Sequence, residues 1–160
     1  MNVSLNTLFM RFPETWFMPL QKFWLLPFII LTVAVASAAQ SSPYAPKPGS
    51  AERKAIMDAL RAPVEKELRK KTIFKIDHIK AQDGWAFVRG VPRQPDGSPM
   101  DYKGTVYEEA IKEGIFDDWI CALLRRKGET WEVVAYAIGA TDVPYDGWDK
   151  EFKAPSAIFK

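Results

Sequence analysis

The sequence predicts an α+β domain over residues 50–160: a curved antiparallel sheet of about four strands wrapped on a kinked N-terminal helix. Three observations point there. A long helical apolar stripe occurs once, at the start of the domain. Two pairs of β-prone runs follow, each pair joined by a short turn containing glycine. A short polar helix pattern separates the pairs. Tight turns give antiparallel pairing, and a helix with one apolar stripe needs a sheet on which to bury it.

Ser50 is a suitable N-cap, and Glu52 in the first turn complements the positive helix end. Ala55, Ile56, Ala59 and Leu60 recur at helical spacing, and Val64 and Leu68 continue the stripe. Between them stands Pro63, whose ring clashes with the preceding turn, so the helix is expected to kink or end near Arg61 and restart. Arg69, Lys70 and Lys71 then form a basic run suited to a solvated helix end.

Residues 72–80, TIFKIDHIK, are rich in β-branched side chains. Asp83-Gly84 is a hairpin turn, and the next strand puts Trp85, Phe87 and Val91 on one face together with Arg89. Arg89 therefore either reaches water at the sheet's end or meets a carboxylate. After Pro92 the loop RQPDGSPMDYKG turns at Pro95-Asp96-Gly97. Thr105 and Glu108 form a capping-box pattern for a short helix carrying Val106, Ala110 and Ile111, stopped by Gly114. Residues 119–124, WICALL, are apolar on both faces, as a central strand requires, and 131–138, WEVVAYAI, are its partner beyond a turn at Gly128. The tail alternates turn formers with Tyr145, Trp148, Phe152 and Phe159. No internal repeat is visible.

Upstream, residues 23–36 read FWLLPFIILTVAVA, an uncharged run preceded by Lys22 and followed by Ala36-Ser37-Ala38. This is the layout of a cleavable secretory signal, with cleavage near Ala38. The run is shorter than the roughly 20 residues a spanning helix needs, so no stable membrane span is expected after cleavage. The stretch before it is long for such a signal, and Met10 or Met18 would serve as initiator as well as Met1. The expected organisation is thus a signal peptide over 1–38, a flexible Pro- and Ser-rich linker over 39–49, and one domain over 50–160, periplasmic or secreted.

The chain carries 22 Lys plus Arg against 20 Asp plus Glu, a net charge of +2. A surface so balanced has no general field for a polyanion, which argues against a nucleic-acid partner. Cys121 is the single cysteine and His78 the single histidine. No internal disulfide is available, and no thiolate–imidazole set points to a metal or cofactor. Between Ile120 and Ala122, Cys121 reads as a buried small hydrophobe.

The segments LRAPVEKEL, DGWAFVRGVP and ICALLRRKGETWEVVAYAIGATDVPY, with the closing aromatics, resemble small secreted proteobacterial proteins of unassigned activity. The element order resembles the cystatin-like or NTF2-like α+β roll. That resemblance covers about Ser50 to Phe159 and implies a fold, since such rolls host enzymes, carriers and inhibitors alike. No catalytic residue follows from it.

A general acid–base pair would need His78 beside a carboxylate. Asp77 is adjacent in sequence, but strand neighbours point to opposite faces, which leaves Asp101, Asp117 or Asp118 as partners. Asp117-Asp118 lacks the evenly spaced oxygens of a calcium loop and reads as a turn. The aromatic tail is the better lead: Tyr145 and Trp148, with Tyr102 and Trp119, either rim an apolar pocket with Arg89 or Asp142 as polar anchor, or plug the end of the roll. The expected function is a non-enzymatic binding or interaction domain for a small apolar ligand or a protein partner. The alternatives are an NTF2-like isomerase or hydrolase and a secreted hydrolase inhibitor, the latter resting on the 93–103 loop.

Overall fold

The computed structural model describes residues 41–160. The expected signal peptide and its expected cleavage near Ala38 lie outside the described residues. Helix α1 spans Ala51–Leu68, and strands β1 (Ile73–Gln82), β2 (Trp85–Arg93), β3 (Ile120–Lys127) and β4 (Thr130–Ile138) form one antiparallel sheet in the order β1-β2-β3-β4. Two short helices, α2 (Glu108–Lys112) and α3 (Trp148–Glu151), and a closing 3-10 turn (Ser156–Phe159) complete it. The α+β architecture with a four-stranded curved antiparallel sheet and a leading helix is as expected.

Helix α1 begins where its chemistry predicts, with the Ser50 hydroxyl accepting from the Arg53 N–H at 3.2 Å. It does not end near Arg61 but continues through Pro63. Ile56, Leu60, Val64 and Leu68 are all fully buried, two on each side of the proline. A proline within a helix costs about 3 kcal/mol. Burying a large aliphatic side chain returns roughly 1.5–3 kcal/mol, so Val64 and Leu68 outweigh the break by keeping the stripe in register.

The hairpin turn has both central residues at positive φ, Asp83 at 50° and Gly84 at 76°, the geometry that matches strand twist. The residues expected to form a free linker are tied to the sheet instead. Tyr44 exchanges backbone bonds with Ala81 at 2.9 and 2.7 Å, and Ser41 donates to Asp83 while its carbonyl accepts from the Gln82 amide. Residues 41–44 therefore cover part of the outer edge of β1.

The short helix starts later than the capping box suggests. Thr105 Oγ1 accepts from the Tyr107 N–H, and the Glu108 carboxylate reaches back to the Gly104 N–H at 2.8 Å. The box residues thus close a turn, and α2 covers only five residues. Val106 and Ile111 of this region are exposed rather than apolar anchors of the core.

The sheet is covered on both faces. Ala86, Val88, Ile120, Ala122 and Leu124 face α1, joined there by Met100 and Tyr102 from the long loop and by Trp131 and Ile138 of β4. Trp85, Phe87, Cys121 and Leu123 face the other way and are closed over by Trp148, Ala154 and Ile158 of the tail. The alternation of one strand thereby supplies two cores.

The β1–β2 ladder is irregular at one point. Ile76 pairs with Gly90 and His78 with Arg89, so Asp77 is an extra residue in a β-bulge. A Cβ on Gly90 would stand 2.5 Å from the Lys75 carbonyl oxygen. The bulge brings the two backbones close at a point where only glycine fits.

Candidate functional site

The bulge overturns the alternation argument for Asp77 and His78. An inserted residue resets the period of two, and both side chains reach the tail face of the sheet. Asp77 meets Arg89 there, with the guanidinium Nε 3.2 Å from each carboxylate oxygen. The His78 ring lies 5.6 Å from that of Phe87, on the same face. No hydrogen bond joins the two residues: Asp77 is engaged by Arg89, and His78 Nε2 is held by the Ile158 carbonyl at 2.8 Å.

Arg89 meets a carboxylate, one of the two outcomes expected of it, while staying partly in water. Its Nη1 also approaches the Tyr145 hydroxyl at 3.5 Å. The Asp77 hydrogen bonds, then that of Tyr145, raise the guanidinium pKa further, so it stays charged at any physiological pH. Both members of the pair remain partly solvated, 40% and 58% exposed, so the bridge itself adds little stability.

Around this pair lies a cleft of about 300 Å³, lined by Asp77, Arg89, Gly90, Val91, Trp119, Val143 and Tyr145. Three elements build it. Strand β2 supplies the floor with Arg89, Gly90 and Val91. Trp119 enters just before β3, its indole N–H donating to the Ala140 carbonyl at 2.5 Å. Tyr145 stands on the turn between Val143 and Trp148, fixed by N–H donation from Asp146 to Val143 and from Trp148 to Tyr145. The Trp119 and Tyr145 rings meet edge to face, with centroids 6.3 Å apart at 88°. Tyr145 also packs on Phe87 at 4.8 Å, which anchors the cleft wall in the tail-face core.

Of the six residues that the sequence singles out, Arg89, Trp119 and Tyr145 converge on this cleft. Trp148 contacts Tyr145 edge to face at 6.4 Å but is itself buried and does not line the opening. Asp142 is exposed and its neighbour Val143 lines the cleft in its place. Tyr102 belongs to the opposite face of the sheet. Its hydroxyl donates to Asp118 at 2.6 Å and its ring packs on Phe116 at 4.7 Å. Tyr102 is thus a corrected assignment: it packs into the helix-face core, with the sheet between it and the cleft.

Asp77 and Gly90 join the cleft without having been expected there. A lone glycine inside a strand pattern is the available signal for a bulge, and a bulge places Asp77 beside Arg89.

Cys121 lies beneath the tail, fully buried, and burial pushes its thiol up to about 12. It is a core residue with no nucleophilic role at neutral pH. Among the described residues no group of three or more His, Cys, Asp or Glu is placed to hold a metal ion. No helix among them is long and apolar enough to cross a membrane. The 93–103 loop is pinned back by Gln94–Ser98 bonds and by buried Met100 and Tyr102, and its tip at Pro95-Asp96-Gly97 is exposed. No family model, curated protein or solved structure matches the chain.

Proposed function

We propose that this chain is an exported, non-enzymatic binding domain that holds a small, largely apolar ligand in the Arg89–Trp119–Tyr145 cleft. One observation carries the reading: two aromatic walls and an oriented charged group converge on a concave site, the usual composition of a small-ligand pocket. Export rests on the signal pattern ending at Ala38. Kinship with small secreted proteobacterial proteins, and with the cystatin-like or NTF2-like roll, rests on segments such as DGWAFVRGVP and on the shared order of helix and hairpins.

The non-catalytic reading is supported by how the titratable groups are used. His78 and Asp77 make no hydrogen bond to each other: His78 Nε2 is engaged by the Ile158 carbonyl and Asp77 by Arg89, and His78 is not among the residues lining the cleft. The enzyme and inhibitor readings have no comparable observation behind them.

The test is binding of a neutral fluorescent probe, N-phenyl-1-naphthylamine, to the mature chain and to Val143→Lys. Val143 is 55% exposed, so the substitution puts a charge in the cleft mouth without touching a core. The expected result is at least tenfold weaker binding with the melting temperature unchanged. Equal binding by both chains places the probe elsewhere and ends the reading.

A further inference from the structure

We infer that the cleft selects a monocarboxylate attached to a flat apolar body, with the carboxylate taken by the free edge of Arg89. This specificity rests on the cleft being the binding site and goes on to define what the site recognises.

The arginine is already oriented. Its Nε is occupied by both oxygens of Asp77 at 3.2 Å, and Nη1 makes one long contact to Tyr145 at 3.5 Å. Nη2 has no protein partner among the described residues, and Nη1 keeps a second proton. A guanidinium has five donors in a rigid fork, and two parallel N–H groups on one edge match the two oxygens of a carboxylate. Asp77 is therefore a positioning residue: it holds the Nε side so that the Nη edge is left for a ligand. A phosphate or sulfate dianion would be a poorer match, because Arg89 is the one cation among the lining residues and already shares its charge with Asp77, so a dianion leaves more negative charge uncompensated than a monocarboxylate.

The rest of the cleft sets the body of the ligand. The Trp119 and Tyr145 rings stand nearly perpendicular, so a flat group stacking on one presents its edge to the other. Val91 and Val143 complete an apolar lining. A volume of about 300 Å³ is at the small end of ligand sites and suits one ring with a short chain. Such a carboxylate has two sources, a free aryl-alkanoic acid or the C-terminus of a peptide ending in an aromatic residue.

The experiment is calorimetric titration of the mature chain with 3-phenylpropanoate and its neutral amide, and with acetyl-glycyl-phenylalanine and its amide. The Trp119 indole N–H resonance is followed in parallel. One or both acids should bind at least tenfold more tightly than their amides, the fold-change of a charge-assisted pair. Which acid binds better identifies the source. Arg89→Met should remove the preference, leaving acid and amide equal, and Arg89→Lys should restore only part of it. The melting temperature of Arg89→Met guards against misfolding. Acid and amide binding equally to the native chain, with the indole resonance shifting for both, would overturn the carboxylate and leave the apolar site standing. No binding of any of the four while the neutral probe still binds and is blocked by Val143→Lys would also overturn it. Loss of the probe's own dependence on Val143 would remove the site itself.

Discussion

The helix face of the sheet and its tail face bury comparable residues by different means. On one side a single 18-residue helix supplies four fully buried aliphatic side chains at regular spacing. On the other, a 4-residue helix and a 4-residue 3-10 turn supply Trp148 and Ile158, and aromatic rings do most of the covering. The Phe87 ring alone meets Tyr145, Phe159 and His78. A long helix is cooperative along its length, so its packing is gained or lost as a unit. Short segments joined by Pro144, Gly147 and Pro155 are expected to open piece by piece. The candidate cleft lies on the second side, where the cover is incomplete enough to leave Arg89 reachable. Binding sites need such a place, and a continuous helix does not provide one.

Two tryptophans test that contrast with the largest effect. Trp131 is 8% exposed on the helix face and Trp148 is 9% exposed on the tail face, so burial alone predicts equal losses. Truncating Trp131 to alanine is expected to cost about 3–5 kcal/mol, since β4 cannot leave the sheet to relieve the hole. Truncating Trp148 should cost about 2 kcal/mol, because undocking of the tail caps the penalty at its own opening free energy. Hydrogen exchange should then show lost protection across 148–159 with β3 unchanged. Equal losses in chemical denaturation, with exchange rising uniformly, would make the tail as integral as the helix.

A second, smaller contrast lies in alkali. On the helix face Tyr107 and Tyr136 both donate to Glu67, and Tyr102 donates to Asp118. Burial first, and then these carboxylates, raise all three phenols above 10.0, Tyr136 to about 12 and the others further. On the tail face Cys121 behaves likewise, raised by burial from 9.0 to about 12. Groups that hold their protons longer when folded lend stability that is complete below the unfolded pKa and is lost as pH rises past it. The melting temperature should therefore fall from pH 9 to 12. Tyr107→Phe with Tyr136→Phe should flatten that fall more than Cys121→Ala. The opposite ranking would put the alkaline weak point under the tail.

The regular elements are legible in the sequence and the irregular ones obscure, for a physical reason. Burial periodicity is a sum over many residues, so α1 and all four strands stand out from Ile56 to Ile138 despite Pro63. The cleft depends on single events. The bulge at Asp77 shifts the period by one residue, and Gly90 inside its strand pattern signals an irregularity without showing which residue of the partner strand is the inserted one. Arg89, Trp119 and Tyr145 are legible because a charge on an apolar face and aromatics outside strands both need a reason. Tyr102 is not, because a loop carries no period, and nothing in its residues says which side of a sheet it crosses. Ser and Pro give the 41–44 segment the composition of a free linker, whereas Tyr44 pairs with an open strand edge.

The smallest effect concerns the contact by which a side chain of β1 fastens the end of the tail to the sheet on this face. His78 Nε2 lies 2.8 Å from the Ile158 carbonyl, so the ring carries its proton on that nitrogen and donates. The bond is partly buried, and Ile158 beneath it is fully buried. Replacing His78 with phenylalanine keeps a ring against Phe87 but removes the donor, leaving the carbonyl to water or unpaired. The expected cost is about 0.5–1.5 kcal/mol. If the tail opens on its own, most of that loss should appear as faster exchange at Ile158 and Phe159 and little of it in the global melting curve. His78→Gln, which restores a donor of similar reach, should recover part of the protection. A His78→Phe chain with native exchange at 156–159 would mean that packing in the tail-face core and the Lys80 Nζ bond to the Lys160 carbonyl hold the tail without His78, and the two faces would then differ only in their covering side chains.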